Sequence, residues 1–272
     1  MPLYYLILLA IIQGVTEFLP VSSSAHLILP EKMGLEEQGV LIDVMAHFGS
    51  LFAVMLYFKK DVASILMGLR DLLGRKLNAN SVLALNLIIA TPPALIVGAA
   101  LAFSGNDELL RQAWIIATAS VVFGIILWWA DVRFAKEKST EELTWKGAFT
   151  LGLAQAIAFI PGTSRSGITM TAARMMRFTR VEAARFSMLM SLPIIGAGGL
   201  FAIMKLARAD SAADVDLGAG LIVAALSFVS AYVAIAFFMK LISRIGMFPF
   251  MIYRVLLGIV IFAWLFLGAG PG

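Results

Sequence analysis

Residues 159–167 read FIPGTSRSG, and how this stretch is read decides the fold. It interrupts an apolar segment, 148–174, and leaves on either side a piece too short to cross a bilayer, since a spanning helix needs about 20 apolar residues. The flanking charges settle which way the chain goes. Upstream, 131–147 carries Arg133, Lys136, Lys138 and Lys146, and downstream RMMRFTRVEAAR (174–185) holds four arginines. Basic loops stay in the cytoplasm, so 148–174 is expected to enter the membrane from that side, turn, and return as a re-entrant hairpin. Irregular backbone at that depth survives only when buried in protein or lining a wet cavity.

The rest of the chain agrees with a membrane setting. Of 272 residues 61% are hydrophobic and 14% charged, with mean hydropathy +0.93, whereas soluble domains carry roughly 25% charge. Apolar windows near 41–58, 82–102, 113–130, 183–204, 217–239 and 250–268 predict six spanning helices, and the alternating pattern of a β-barrel is absent. The apolar run Leu3 to Ile12 has the size of a signal-peptide core, but it lacks a basic start and is followed by PVSSS, so it is kept in the fold. Without cysteine there is no disulfide, thiolate metal site or thiol nucleophile. The net charge of +4 needs no nucleic acid, because the basic residues fall in particular loops. Loop 59–76, with Lys59, Lys60, Arg70, Arg75 and Lys76, is expected inside, and the acidic SGNDELLR (104–111) and KLARADSAADVDLG (205–218) outside.

Residues 1–30, also broken by a proline, behave like 148–174. FLPVSSSAH (18–26) matches FIPGTSRSG, AHFGSL (46–51) matches ARFSML (184–189), and the surroundings of Gly124 match those of Gly258. The expectation is an all-α integral membrane protein with an inverted-topology repeat, each half a re-entrant helical hairpin plus three transmembrane helices. Repeat one covers about 1–130 and repeat two about 148–268 of a single membrane domain, 1–272, with both termini outside.

The hairpin tips hold the chemistry. Gln13 and Glu17 share one helix face, Pro20 ends that helix, and Ser22 or Ser23 can cap a new one carrying His26. In the second tip Ser164, Arg165, Ser166 and Thr169 surround a helix start, where free N–H groups attract anions and an arginine grips phosphate. Serines there also serve as plain caps, small residues as close helix packing, and Glu17 with Arg165 as a structural ion pair. Ionisable groups inside a membrane cost about 2.5–3.5 kcal/mol each on insertion scales, which favours a phosphate-sized functional pocket between the tips. His47 and Arg185, at matching positions, read as helix-end pairing or snorkelling with a supporting role open to them. Arg254 reads as reaching the cytoplasmic surface, Asn86 and TPP (91–93) as a kink, and Trp128 and Trp129 as interfacial anchors.

QGVTEFLPVSSSAH (13–26) and PGTSRSG (161–167) closely resemble the two signature motifs of the bacterial undecaprenyl-diphosphate phosphatase family, also called the bacitracin resistance protein family. The order of the hairpins and IGMFPFMIYRVLLG (245–258) extend the resemblance over nearly the whole chain. It implies a multi-pass hydrolase of the bacterial inner membrane that takes the terminal phosphate from undecaprenyl diphosphate, with substrate reached from the periplasmic side and a divalent cation, magnesium or calcium. Carried over, the acidic motif falls on Gln13 and Glu17, the serine and histidine group on Ser22, Ser23 and His26, and the phosphate grip on Ser164, Arg165, Ser166 and Thr169. Gln13 departs from the glutamate found in some members, so this helix offers one carboxylate. The expected nucleophile is Ser23, with Glu17 as metal ligand or base and His26 as acid, base or alternative nucleophile; activated water is a third choice. Expected partners are a polyprenyl diphosphate and membrane lipid, with no nucleic acid and a homodimer left open. The rival reading is a secondary transporter or scramblase of a phosphorylated lipid using the same site.

Overall fold

The computed structural model describes residues 2–23, 25–27, 39–105, 107–134, 138–208 and 216–267. Residues 28–38, where the first hairpin is expected to return, Lys136, the part 209–215 of the loop expected outside, and residues 268–272 lie outside the described residues. The helices are α1 (Leu3–Thr16), α2 (Gly39–Tyr57), α3 (Lys59–Leu73), α4 (Ala79–Ala90), α5 (Pro92–Ser104), the single turn α6 (Asp107–Leu110), α7 (Ala113–Arg133), α8 (Trp145–Ile157), α9 (Arg165–Met175), α10 (Arg180–Arg208), α11 (Leu217–Ile245) and α12 (Phe248–Phe266). Six spans are long and apolar enough to cross a membrane: α2, α4 with α5, α7, α10, α11 and α12. Among the described residues there is no strand. The chain is an all-α integral membrane protein.

Its surface and interior are exchanged relative to a water-soluble fold. Leu221, Phe237 and Val260 are more than 60% exposed, while Gln13, Glu17, Ser166 and Thr169 are buried, the distribution expected where the solvent is hydrocarbon. Local sequence sets the helix ends. Asn78 and Ser81 form a reciprocal capping box before α4, and Thr144 and Asp216 cap α8 and α11. Pro92, which has no N–H, starts α5 and breaks the long span at Thr91, as TPP predicts. Asn86 makes no kink of its own; it donates to Leu143 O at 2.9 Å.

One expectation changes here. Most of 59–76, read as a loop, is α3. Val62, Ile65, Leu66 and Leu69 recur at helical spacing among its charges, and such a face forms a helix at a membrane surface even though the segment is too polar to span.

Packing explains how the hairpins are held. α11 lies against α1 and α2, α12 against α7, α8 against α4 and α5, and α9 against α7, α8 and α10. A Cβ on Gly14 would strike Ser230 and the backbone of Ala231, and one on Gly49 the backbone of Ala224. Lipid gives helices no hydrophobic reason to associate, so close backbone approach at small residues supplies the attraction. Gly49→Val is therefore expected to cost about 1–3 kcal/mol by overpacking, read as a lower midpoint of thermal unfolding in detergent. In the α7–α12 contact Gly124 faces Arg254, while Gly258 faces Ala117 and Val121, so the two glycines matched in sequence each admit the other's helix.

At one end a buried carboxylate ties four elements. Asp131, near the end of α7, accepts from Arg174 Nε (2.9 Å) on α9, Arg180 Nη2 (2.6 Å) on α10 and Met247 N (3.2 Å) before α12. Arg185 pairs with Asp61 of α3 through Nε at 3.0 Å and with Glu182, which is the helix-end pairing expected of it.

Candidate active site

Each tip begins where a helix runs out of backbone partners. α1 stops at Thr16, the chain turns through Pro20, and helical geometry resumes at Ser23. α8 stops at Ile157, Gly162 turns with φ +91°, and Ser164 caps α9 by accepting from Gly167 N at 3.2 Å. Ser22 and Ser164 both carry positive φ, 74° and 68°. For a residue with a Cβ such strain costs about 1–3 kcal/mol and gathers at functional sites.

The two tips touch. Arg165 Nη2 donates to Glu17 Oε1 at 3.2 Å, and Ser166 Oγ donates to Leu19 O at 2.9 Å. Between them opens a cavity of about 440 Å³ whose polar lining includes Glu17, Ser23, Asp43, His47, Ser164 and Arg165. Glu17 Oε2 accepts from Ser23 Oγ (2.9 Å) and from Gln13 Nε2 (3.1 Å). The guanidinium of Arg165 lies 5.9 Å over the Phe18 ring and donates through Nη1 to Ser187 O at 3.2 Å. Thr169 Oγ1 donates to Arg165 O at 2.8 Å and is 2.6 Å from Ser187 Oγ. Of the residues expected to grip phosphate, then, Ser164 and Arg165 face the cavity. Ser166 and Thr169 hold the tips in place behind it, and Ser22 is buried outside the lining.

The two histidines lie beside different residues of the first tip, His26 at Ser22 and His47 at Glu17. His26 turns towards α12, its Nδ1–H donating to Ser22 O (2.7 Å) and its Nε2 meeting the Tyr253 hydroxyl, with the rings 5.7 Å apart and nearly parallel. His47, read as a helix-end residue, places Nε2 3.9 Å from Glu17 Oε2, while its Nδ1–H donates to Asp43 O at 2.7 Å. Asp43 had no part in the sequence reading, nor had Ser187 and Tyr253. The available signal was Asp43 and His47 standing i,i+4, on one face of an otherwise apolar span.

Arg254 does not reach the surface. It is fully buried, and its Nη2 donates to Gly162 O (2.9 Å) and Thr163 O (2.8 Å). A tip that has left helical geometry exposes carbonyls that need donors, and Arg254 supplies them.

Whether a divalent cation fits can be tested on Gln13. Its Oε1 is buried and accepts no hydrogen bond, while its Nε2 is committed to Glu17. Magnesium and calcium take oxygen ligands, carboxylate and amide carbonyl among them, so Gln13 Oε1 and Glu17 suit such an ion. Among the described residues no three His, Asp or Glu form a metal-holding group. The remaining oxygens would therefore come from substrate phosphate and water.

The profile of the family described as bacitracin resistance protein BacA matches residues 6–260, which include both tips. The chain belongs to that family. Within the BacA family it is 50% identical over 264 residues, 96% of this chain and 98% of the relative, to a protein of Maricaulis maris (strain MCS10) named undecaprenyl-diphosphatase. A protein of the same name from Aliivibrio salmonicida (strain LFI1238) is 51% identical over 261 residues, 94% of this chain and 96% of its own. The length matched in these BacA-family relatives is too great to leave out the spans.

Proposed function

We propose that this chain hydrolyses undecaprenyl diphosphate to undecaprenyl phosphate and inorganic phosphate, recycling the carrier lipid for cell-wall synthesis. It acts in the bacterial inner membrane with the site reached from the periplasmic side. The observation that carries the reading is Glu17 joined at once to the Ser23 hydroxyl and to Arg165.

Glu17 Oε2 already holds the Ser23 hydrogen and takes the proton as Oγ attacks the terminal phosphorus. An Oγ–P bond forms, the P–O bond to undecaprenyl phosphate breaks, and the electron pair leaves on that phosphate. Arg165 donates to the charge that grows on the transferring group, where preorganised donors act most strongly. Water then cleaves the phosphoserine, and Ser23 recovers its proton from Glu17. Gln13 and Glu17 would hold magnesium or calcium, which supplies neutralising positive charge when bound. His26 and Tyr253 fix the backbone of Ser22, and His47 keeps a ring nitrogen beside Glu17.

Phosphate release from undecaprenyl diphosphate by purified protein tests the reading. Release is expected with magnesium or calcium and is lost with chelator, and Arg165→Ala lowers it about 10²–10³-fold. Wild-type protein that binds the lipid but releases no phosphate with either cation is instead a carrier.

A further inference from the structure

Beside the catalytic cavity lies a second space of about 440 Å³ lined by residues without a polar side chain. It runs between α5, through Leu95 and Ala99, and α10, through Ile194 and Phe201, with Phe159 of the second tip along it. Ile194 and Gly198 line both spaces, which therefore share a wall. Gly198 is the informative residue. A Cβ on Gly14 or Gly49 would meet backbone of another helix, but on Gly196 or Gly198 it would meet nothing within 4 Å. Glycine within a helix costs about 1 kcal/mol relative to alanine, and close helix packing does not explain it here.

We propose that this groove seats the first isoprene units of the substrate's tail, and that Gly198 keeps the way open from the diphosphate site. The proposal rests on the phosphatase reading. A tail leaving the bilayer for the groove exchanges one apolar setting for another, so the hydrophobic gain is small. What the groove contributes is orientation: anchoring the prenyl end aims the breaking P–O bond away from Ser23, and errors of this kind are costly in rate.

The test compares undecaprenyl diphosphate with methyl diphosphate, whose chain is too short to reach the groove. Ala99 and Ala100 are neighbours on α5, both exposed, and only Ala99 lines the groove. In Ala99→Trp the ratio of long-chain to short-chain hydrolysis is expected to fall about tenfold or more, and in Ala100→Trp to stay at the wild-type value. Equal ratios in the two variants overturn the proposal. Independently, an undecaprenyl diphosphate carrying a photoreactive group on its first isoprene unit is expected to label 95–103 and 194–201 of wild-type protein. Label spread over all lipid-facing helices marks ordinary bilayer lipid contact and overturns the groove. Wild-type protein that labels at these sites yet releases no phosphate overturns the reaction and leaves the groove standing.

Discussion

Ser23→Ala is expected to lower phosphate release from undecaprenyl diphosphate by about 10³-fold or more, the scale seen when a nucleophile is removed from a site that otherwise stays assembled. The substitution removes one oxygen from a part-buried side chain, and Glu17 keeps its bonds from Gln13 and Arg165. Affinity for the lipid should therefore persist, which titration of the variant against undecaprenyl diphosphate would measure. A variant that keeps its rate moves the attack to water beside Glu17.

The second large effect concerns folding. Asp131→Asn leaves Arg174, whose side chain has no exposure, without its counter-charge, and breaking a buried pair from one side costs about 3–5 kcal/mol. Arg180, 17% exposed, can turn towards water; Arg174 cannot. Thermal unfolding in detergent should show Asp131→Asn well below wild type. Adding Arg174→Met should recover part of the loss, since the uncompensated charge goes with it. If the double variant is no more stable than the single one, the loss belongs to the bonds from Arg180 and Met247 N rather than to the Arg174 guanidinium.

The elements legible in the sequence were those whose signal is local. Six spans announce themselves by apolar length, and PGTSRSG announces the break between α8 and α9 because proline and glycine end a helix. Glu17 and Arg165 were legible as functional candidates because each is costly at that depth. What hydropathy does not encode is how a span is rotated about its axis. His47 thus reads as a helix-end group and Asp43 carries no signal of its own, whereas α2 turns both towards the cavity that Glu17 lines. Arg254 was misjudged because snorkelling is the cheapest course for an isolated helix, whereas the carbonyls of Gly162 and Thr163, about 90 residues earlier in the chain, offer a nearer partner. His26 stands close to Ser23 in sequence, but its ring follows Tyr253, 227 positions away. Segment 59–76 has the charge density of a loop, and only the helical period of its apolar residues marks α3.

The hydrogen bond from Ser166 to Leu19 O, with the ion pair beside it, has a bearing on inheritance. The Ser23 hydroxyl and the Glu17 carboxylate stand in the first half of the gene and the Arg165 guanidinium in the second, so neither half holds the whole site. A message cut short between the halves leaves a fragment with no residual chemistry, and two defective copies damaged in opposite halves could restore one another only by bringing their intact tips together.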